Sequence, residues 1–308
     1  MSRSPLIHFS RPVSKGLISV CIVTRNASTA LNKYLRSVSD SFAGSYPYEI
    51  IVVDNESSDN TKEMLDANFP TAQYILKIPG IGFTRGINLA VSASQGEYIL
   101  IATPSTEVIG DALPQLVNYL DTHSTVGVVG PKIINPNGTI QHSSKKMPHP
   151  RIALLHTLRF FGINKINQTL NEYFLYENIS DDPIEVTSLT MGLLIARRKV
   201  FEDVGPLDET LFIWASDVDW CYKVEQSKWK QIFLPAVKVR HHRNLVSKKQ
   251  PIQNLILYHK DLRTFYRKHY AKKASLIENL FWETLLQIRF IVQLLHHLLF
   301  QSDELSYY

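Results

Sequence analysis

Three continuous runs of β-branched and other apolar residues constrain the fold of this chain more than any other feature of its sequence. They are LISVCIVT at residues 17–24, EIIVVD at residues 49–54 and GEYILI at residues 96–101. Apolar runs without alternation are typical of strands that are buried on both faces of a parallel sheet. Helical spacing of apolar residues follows each of the first two runs. The sequence therefore predicts a doubly wound α/β domain with a crevice at the carboxyl ends of its strands.

Composition and charge limit the partners that such a domain would have. The 308 residues are 44% hydrophobic and 20% charged, which suits one large α/β domain with an appendage, or two domains. The net charge of +5 favours an anionic partner such as nucleotide phosphates or acidic lipid headgroups, but it is too small to predict nucleic-acid binding. Cys21 and Cys221 lack metal-ligand spacing and are interpreted as reduced core thiols of a cytosolic protein. Residues 1–16 lack the long apolar core of a signal peptide and are interpreted as a short basic leader.

Polar residues at the ends of the strands are candidates for ligand binding. Thr24 and Asp54 end the first two runs, so both are expected at the crevice. An Asp in this place accepts hydrogen bonds from ribose hydroxyls or a base N–H, although it could instead cap the next helix. Further on, PGIGFTRGIN at residues 79–88 combines three glycines with Arg85 and Asn88 ahead of a helical run. Glycine allows close backbone approach, and a helix N-terminus beside an arginine favours phosphate.

A second candidate is the segment FIWASDVDWCYK at residues 212–223, which places Asp217 and Asp219 among large apolar side chains. A partly buried carboxylate has a raised proton affinity and can act as a general base near neutral pH. The alternative is that one of the two only caps the helix that follows.

The order of these segments carries a family resemblance. The chain contains, in this order, the segments LISVCIVTRN, EIIVVDNESSD, GIGFTRGIN, GEYILIATPSTEV, TMGLLIARRKVFEDVGPLDETLF, WASDVDWCYK and VRHHRNLVS. Together they resemble the motifs of the inverting family 2 glycosyltransferases with the GT-A fold, in particular their rhamnosyltransferase-like branch. The resemblance covers residues 17–247. It implies that a hydroxyl of a cell-surface polysaccharide or lipid-linked saccharide precursor attacks the anomeric carbon of a nucleotide sugar, with inversion. UDP- and dTDP-sugars are the implied donors, dTDP-rhamnose among them, and Asp217 is the implied general base.

The resemblance also implies roles for residues around that base. On the donor side the implied residues are Thr24, Asn26, Asp54, Gly82, Arg85, Asn88, Thr103 and Ser105. On the acceptor side they are Gly192, Asp208, Trp214 and Asp219.

Two positions depart from the family pattern. After the third strand the family usually has an Asp in a turn like NPD, whose carboxylate holds Mg²⁺ or Mn²⁺, but here the turn is TPS and Ser105 stands at that position. Ser216 stands where the family commonly has an acidic residue before the base. A hydroxyl is a weaker ligand than a carboxylate for a hard divalent cation, so metal binding is left open. In the pair His241 and His242, the spacing favours His242 as a metal ligand, and the alternative is two loop histidines.

These departures leave a second function open. The chain would then be a catalytically altered or inactive GT-A domain that binds a nucleotide or sugar, or that serves as a partner subunit. Retention of Asp217 favours the enzyme, because a decayed site is expected to lose its base as well.

The composition changes after the predicted GT-A domain at residues 17–250. Residues 251–308 are predicted to form a helical extension, with one helix over residues 254–270 that ends in a basic cluster and an apolar segment over residues 276–300. Charged residues and histidines interrupt this segment. It is therefore expected to lie in the surface of an anionic membrane, at the inner, cytoplasmic face, rather than to span it. The alternative is packing on the sheet domain or on another copy of the chain.

Overall fold

The computed structural model describes residues 9–75, 79–141, 143–147, 180–211, 215–242 and 251–300. Within these ranges the chain forms a ten-stranded mixed sheet, a second sheet of two strands, and helices that cover both faces of the large sheet. The predicted α/β class is therefore confirmed, and helices also form the C-terminal part of the described chain.

The strands follow one another along the chain as β1 (Ser14–Thr24), β2 (Tyr48–Asp54), β3 (Gln73–Ile75), β4 (Gly96–Ala102), β5 (Thr106–Val108), β6 (Val126–Ile134), β7 (Ile140–Gln141), β8 (Ser144–Lys145), β9 (Ile184–Glu185), β10 (Ser188–Leu189), β11 (Leu193–Arg197) and β12 (Lys230–His241). The helices are α1 (Ser28–Phe42), α2 (Thr61–Asn68), α3 (Gly82–Ala93), α4 (Ala112–Thr122), α5 (Arg198–Val204), α6 (Ser216–Glu225), α7 (Pro251–His269) and α8 (Leu276–Phe300).

The order of strands in the large sheet reverses at β1, as a doubly wound domain requires. Its main path is β3-β2-β1-β4-β11-β6-β12-β5, and the first four strands are parallel. Strand β11 is antiparallel to β4 and β6, whereas β12 runs parallel to β6. The chain leaves β1 toward β2 on one side and returns to β4 on the other. Ligands of open α/β sheets bind at the carboxyl ends of strands where the order reverses in this way.

The central strand β1 shows why the apolar runs lack alternation. Its side chains at positions 18, 20 and 22 enter the core beneath α1 and α4, and those at positions 21 and 23 enter the core beneath α3, α5 and α6. Both faces of the strand are therefore covered, as the continuous run predicts. The two cysteines are free and buried.

Helix α3 begins earlier than the sequence predicts. The helical run was expected from Leu89, but the helix starts at Gly82, so most of the glycine-rich segment is helical. A Cβ atom at Gly86 would lie 2.6 Å from Val23 Cγ2, and glycine there allows close packing of α3 on β1. Gly80 and Gly82 have φ of +65° and +71°, which explains glycine at the turn that begins the helix.

Helices α7 and α8 form an antiparallel pair close to the predicted boundaries. His259 Nε2 lies 2.7 Å from Gln293 Oε1, and the Tyr266 hydroxyl donates to Asn279 Oδ1 at 2.8 Å. Glu283 accepts hydrogen bonds from two arginines of α7. Among the described residues, no helix is both long enough and apolar enough to cross a membrane.

Candidate active site

The carboxyl ends of β1 and β2 place Thr24 and Asp54 side by side. Both are almost completely buried, with 1% and 2% of their surface exposed. The Asp54 carboxylate accepts hydrogen bonds from the backbone N–H of Ser57 at 2.7 Å and from the Tyr74 hydroxyl at 2.5 Å. Thr24 Oγ1 has no hydrogen-bond partner within the part of the chain that the structure describes. Because buried hydroxyls are rarely left unpaired, this strand end has a polar atom available to a ligand.

Asn26 connects the loops that follow these two strands. Its Oδ1 accepts hydrogen bonds from the backbone N–H of Ser58 at 2.6 Å and from the Ser58 hydroxyl at 3.1 Å, and its own N–H donates to Ser57 Oγ at 2.9 Å. Its backbone has a φ of +49°, a conformation that Asn tolerates better than most residues. Asn26 therefore shapes the wall of the crevice beside Asp54.

Arg85 and Asn88 lie on α3 but have different surroundings. The Arg85 side chain is 63% exposed, and its Nε lies 3.9 Å from Glu209 Oε2. Asn88 is buried: its Oδ1 accepts from the N–H of Leu207 at 2.9 Å, and its Nδ2 donates to the carbonyl oxygen of Leu207 at 3.0 Å. Asn88 thus holds the loop before α6 in place, whereas Arg85 presents an exposed cation at the start of α3.

The turn after β4 meets the last residue of β12. Thr103 Oγ1 and Ser105 Oγ lie 3.1 Å and 2.9 Å from His241 Nε2, and 3.2 Å from each other. His241 is paired with Thr106 in the antiparallel β12–β5 ladder, and this register brings its ring to the turn. The histidine ring beside Ser105 is therefore that of His241, whereas His242, which the sequence favours as a metal ligand, donates its backbone N–H to the carbonyl oxygen of Ser105 at 2.9 Å.

Gln141 defines the proton position on the ring of His241. Its Nε2 donates to Asn135 Oδ1 at 2.6 Å and to the carbonyl oxygen of His241 at 2.9 Å, so its Oε1 is the atom 3.1 Å from His241 Nδ1. This acceptor requires a proton on Nδ1. In the neutral imidazole, Nε2 then presents its lone pair to the hydroxyls of Thr103 and Ser105.

His242 belongs to a neighbouring ion-pair cluster. Its Nε2 lies 3.1 Å from Glu107 Oε2, and Arg240 donates to Glu107 Oε1 at 2.7 Å. Burial alone would raise the pKa of Glu107, but the hydrogen bonds from His242 and Arg240 outweigh it, and the pKa is lowered. The Glu107 carboxylate is thus ionised and engaged by both partners.

These donors do not fit a divalent metal ion. Beside the turn stand two hydroxyls and one imidazole, and the nearest carboxylate of this cluster, Glu107, is paired with Arg240 and His242. Within the described ranges, no three His, Cys, Asp or Glu side chains form a group that could hold a metal. Mg²⁺ and Mn²⁺ are bound chiefly through carboxylate and other anionic oxygens. The chemistry of the donor set therefore differs from that expected of the family.

The two carboxylates in the first turn of α6 lie in different environments. Asp217 is partly exposed in the first turn, and its Oδ1 accepts the N–H of Val218 at 2.8 Å. Asp219 is fully buried, and it accepts hydrogen bonds from Lys268 Nζ at 2.9 Å and His269 Nε2 at 2.6 Å. Asp219 is therefore neutralised by α7, whereas Asp217 keeps a partly exposed carboxylate at the start of this helix.

Gly192 and Asp208 support the site through backbone and charge. The carbonyl oxygen of Gly192 accepts from Thr106 Oγ1 at 2.8 Å, close to the turn that carries Ser105. Asp208 Oδ2 lies 2.5 Å from Lys268 Nζ. Burial alone would raise the pKa of Asp208, but hydrogen bonds, the strongest from Lys268, outweigh it and lower the pKa to about 2.

Sequence reasoning did not assign a role to several residues of this region. The sequence indicates Lys268 and His269 only as part of a basic cluster, and no pattern in it points to Tyr74. The signal for Lys268 and His269 is weak, since basic residues are common in the last turn of a helix. Trp214, expected on the acceptor side, lies outside the described residues.

Comparison with known sequences places the chain among sugar-transferring enzymes. The model of the family described as Glycosyl transferase family 2 matches residues 19–205, and the match ends before Asp217. The chain is 22% identical over 260 residues to N-acetylglucosaminyl-diphospho-decaprenol L-rhamnosyltransferase of Mycobacterium tuberculosis, covering 81% of this chain and 83% of the relative. It is 32% identical over 115 residues to abequosyltransferase RfbV of Salmonella typhimurium, covering 36% of this chain and 34% of that protein.

Solved structures share the architecture. GalNAc-T7, solved with UDP, GalNAc and Mn²⁺, aligns with a TM-score of 0.58 at 18% identity over 80% of this chain, which spans about half of that one, 47%. The mannosyltransferase PcManGT from Pyrobaculum calidifontis, solved with GDP-Man and Mn²⁺, aligns with a TM-score of 0.54 at 16% identity, covering 86% of this chain and 68% of that one. At these identities the likeness shows the fold alone, and the expected GT-A fold is confirmed.

Proposed function

The chain belongs to glycosyl transferase family 2, and on that premise we propose that it moves a sugar from a nucleoside-diphosphate donor to a saccharide hydroxyl, with inversion at the anomeric carbon. The donor is a UDP- or dTDP-sugar, with dTDP-rhamnose first among the candidates because of the similarity to the mycobacterial rhamnosyltransferase. The acceptor is a cell-surface polysaccharide or lipid-linked saccharide precursor, as the names of the relatives suggest.

The contrast between Asp217 and Asp219 carries this proposal. Asp219 is neutralised by Lys268 and His269, whereas Asp217 is partly exposed in the first turn of α6. In the proposed step the acceptor oxygen bonds to the anomeric carbon as the bond from that carbon to the diphosphate oxygen breaks. The hydroxyl proton passes to the Asp217 carboxylate, and the electron pair leaves with the nucleoside diphosphate.

The nucleotide lies at the carboxyl ends of β1 and β2 in this proposal. Asp54 and the unpaired hydroxyl of Thr24 offer polar atoms to the base or ribose, and Asn26 shapes the wall beside them. A carboxylate oxygen accepts more than one hydrogen bond, so the contacts of Asp54 with Ser57 and Tyr74 leave it able to bind a further donor.

A transfer assay tests the function directly. The purified protein is incubated with UDP- and dTDP-sugars, including dTDP-rhamnose, and with a polyprenyl-diphosphate saccharide acceptor, and release of the nucleoside diphosphate is measured. We expect release that depends on the acceptor. Tight nucleotide binding without transfer from any of these donors would favour the alternative, an inactive domain that binds a nucleotide sugar or serves as a partner subunit.

Side chains rather than a metal balance the charge of the leaving diphosphate in this proposal. Arg85 is an exposed cation at the start of α3, and the turn of Thr103 and Ser105 beside His241 adds two hydroxyl groups. Preorganised donors of this kind stabilise the negative charge that develops on a leaving group.

Metal removal should therefore leave nucleotide binding nearly unchanged. We expect the Kd for dTDP or UDP, measured by calorimetric titration, to be similar in Mn²⁺ and in EDTA. Ser105→Asp should create a dependence, with binding in Mn²⁺ about tenfold tighter than in EDTA, a gain of about 1.4 kcal/mol. Ser105→Asn, which has the size of Asp without its charge, is the matched control and should show no such difference. Loss of wild-type binding in EDTA would contradict the proposal.

The extension places the enzyme at the inner face of a membrane in this proposal. The first turns of α8 expose large apolar side chains, with Leu276 exposed by 88%, Ile277 by 82% and Leu280 by 71%. The turn before α8 adds exposed Lys272 and Lys273. Apolar side chains beside cations suit the headgroup region of an anionic bilayer.

Leu280→Glu should weaken this membrane contact. Burying a leucine side chain is worth about 1.5–3 kcal/mol, so we expect at least about tenfold less partition into vesicles of phosphatidylglycerol and phosphatidylcholine, measured by sedimentation. Ile140→Glu, which replaces an exposed apolar residue of β7, is the control and should bind as the wild type does. Equal sedimentation of Leu280→Glu and wild type would contradict a membrane contact through α8.

A further inference from the structure

The last turn of α7 binds two acidic residues that lie on either side of Asp217 in the sequence, Asp208 and Asp219. Lys268 Nζ lies 2.5 Å from Asp208 Oδ2, before the segment, and 2.8 Å from Asp219 Oδ1, within α6. His269 Nε2 lies 2.6 Å from the same oxygen of Asp219. Lys268 thus bridges helix α6 and the loop that precedes it. In the chain it lies 60 positions from Asp208 and 49 positions from Asp219.

Apolar contacts reinforce this bridge. Phe265 of α7 forms a buried cluster with Leu211, Ala215 and Val218, which lie on both sides of Asp217 in the sequence. The ring of His269 lies 4.3 Å from that of Tyr222, centroid to centroid, on α6. The end of α7 therefore packs against the first turn of α6 as well as pairing with it.

The loop at residues 207–211, which precedes α6, is also held by α3, the helix that carries the donor-side residues Arg85 and Asn88. Thr84 Oγ1 donates to the carbonyl oxygen of Leu211 at 2.6 Å, and Asn88 pairs with the backbone of Leu207. Lys268 binds Asp208 between these two anchor points. The loop at residues 207–211 therefore joins the donor-side helix to α7, and its position depends on both.

We propose that Phe265, Lys268 and His269 are positioning residues of the active site, which orient α6 so that Asp217 faces the acceptor hydroxyl. The inference rests on the proposed function, because it takes Asp217 as the base. The first helix of the C-terminal extension is then a structural part of the catalytic site, and the contact of α8 with a surface is a separate property. Without Lys268, the carboxylates of Asp208 and Asp219 lose the cation that they share, and the loop at residues 207–211 separates from helix α6.

Lys268→Met tests the inference, because it keeps an unbranched side chain of similar length and removes the charge. We expect kcat to fall by about 10- to 100-fold, as a small misplacement of a catalytic group does, with little change in KM for the donor or in Kd for the nucleotide. Lys268→Arg should recover part of kcat. Arg267→Met is the matched control: its side chain is 59% exposed and pairs with Glu283 at 2.5 Å, so kcat should stay at the wild-type value.

Amide hydrogen exchange supplies a readout that does not require activity. In Lys268→Met the first turn of α6 should exchange faster than in wild type, whereas Arg267→Met should match wild type there. If Lys268→Met does not fold, Asp208→Asn removes only one arm of the bridge and should show the same two effects to a smaller extent. Wild-type kcat or wild-type exchange in these variants would overturn the inference. Absence of transfer by the wild type would refute the proposed function instead, and the exchange comparison would still decide on the bridge.

Discussion

Asp217→Asn is expected to lower kcat by about 10²- to 10⁴-fold, the usual contribution of a general base. The substitution keeps the size of the side chain and an oxygen that can accept the N–H of Val218, so the start of α6 should be preserved. The amide cannot take the proton of the acceptor hydroxyl. Because the nucleotide is proposed to bind at β1 and β2, its Kd should remain nearly unchanged. Both quantities are measurable, by release of the nucleoside diphosphate and by calorimetric titration.

The matched control for this prediction is Glu225→Gln. It makes the same carboxylate-to-amide change at the last residue of the same helix, where the side chain is exposed. We expect wild-type kcat for this variant. A wild-type kcat for Asp217→Asn would remove Asp217 as the base and direct attention to another acidic residue. A large loss of nucleotide affinity in Asp217→Asn would mean that the residue acts in donor binding.

The sheet and the C-terminal helices could be predicted because their signals are local. The run at residues 17–24 is apolar throughout, and β1 is covered on both faces, so hydrophobicity alone locates the strand. Helices α7 and α8 lie within a few residues of the prediction for the same reason. The start of α3 was predicted too late because glycine lowers helix propensity. At Gly86 the close approach to Val23 outweighs that preference.

The histidine of the site shows a limit of reasoning from sequence. His241 and His242 are neighbours, and successive side chains of a strand point to opposite faces. Which of them meets Ser105 depends on the register between β12 and β5, in which His241 pairs with Thr106. A shift of one residue would exchange their places. Spacing along the chain contains no information about this register.

The contacts of Lys268 with Asp208 and Asp219 could not be predicted either, but for a different reason. The sequence suggests that residues 251–308 are an extension with its own task at a surface, and nothing local indicates that α7 pairs with α6. The contact joins Lys268 to Asp219 across 49 positions, and a buried carboxylate requires a partner that its own segment does not supply. The full burial of Asp219 is visible only in the folded chain.

This burial leads to a second large effect, on stability. Asp219→Asn is expected to lower the free energy of unfolding by about 3 kcal/mol or more, the usual cost of removing one partner from a buried ion pair. The neutral amide would no longer balance Lys268, and the donor from His269 would lose its anionic acceptor. Urea unfolding measures the change, and tryptophan fluorescence, to which the fully buried Trp220 contributes, follows the transition.

Asp66→Asn provides the comparison that separates burial from charge. Asp66 pairs with Lys62 at 2.6 Å, but its side chain is 62% exposed, and an exposed pair of this kind contributes only about 0.3–0.5 kcal/mol. Equal and small losses for the two variants would show that the Asp219 pair is solvated in solution and that α7 is only loosely held. The two substitutions differ chiefly in the burial of the charge. If Asp219→Asn lowers the free energy of unfolding far more than Asp66→Asn does, the end of α7 is therefore part of the folded core beneath Asp217.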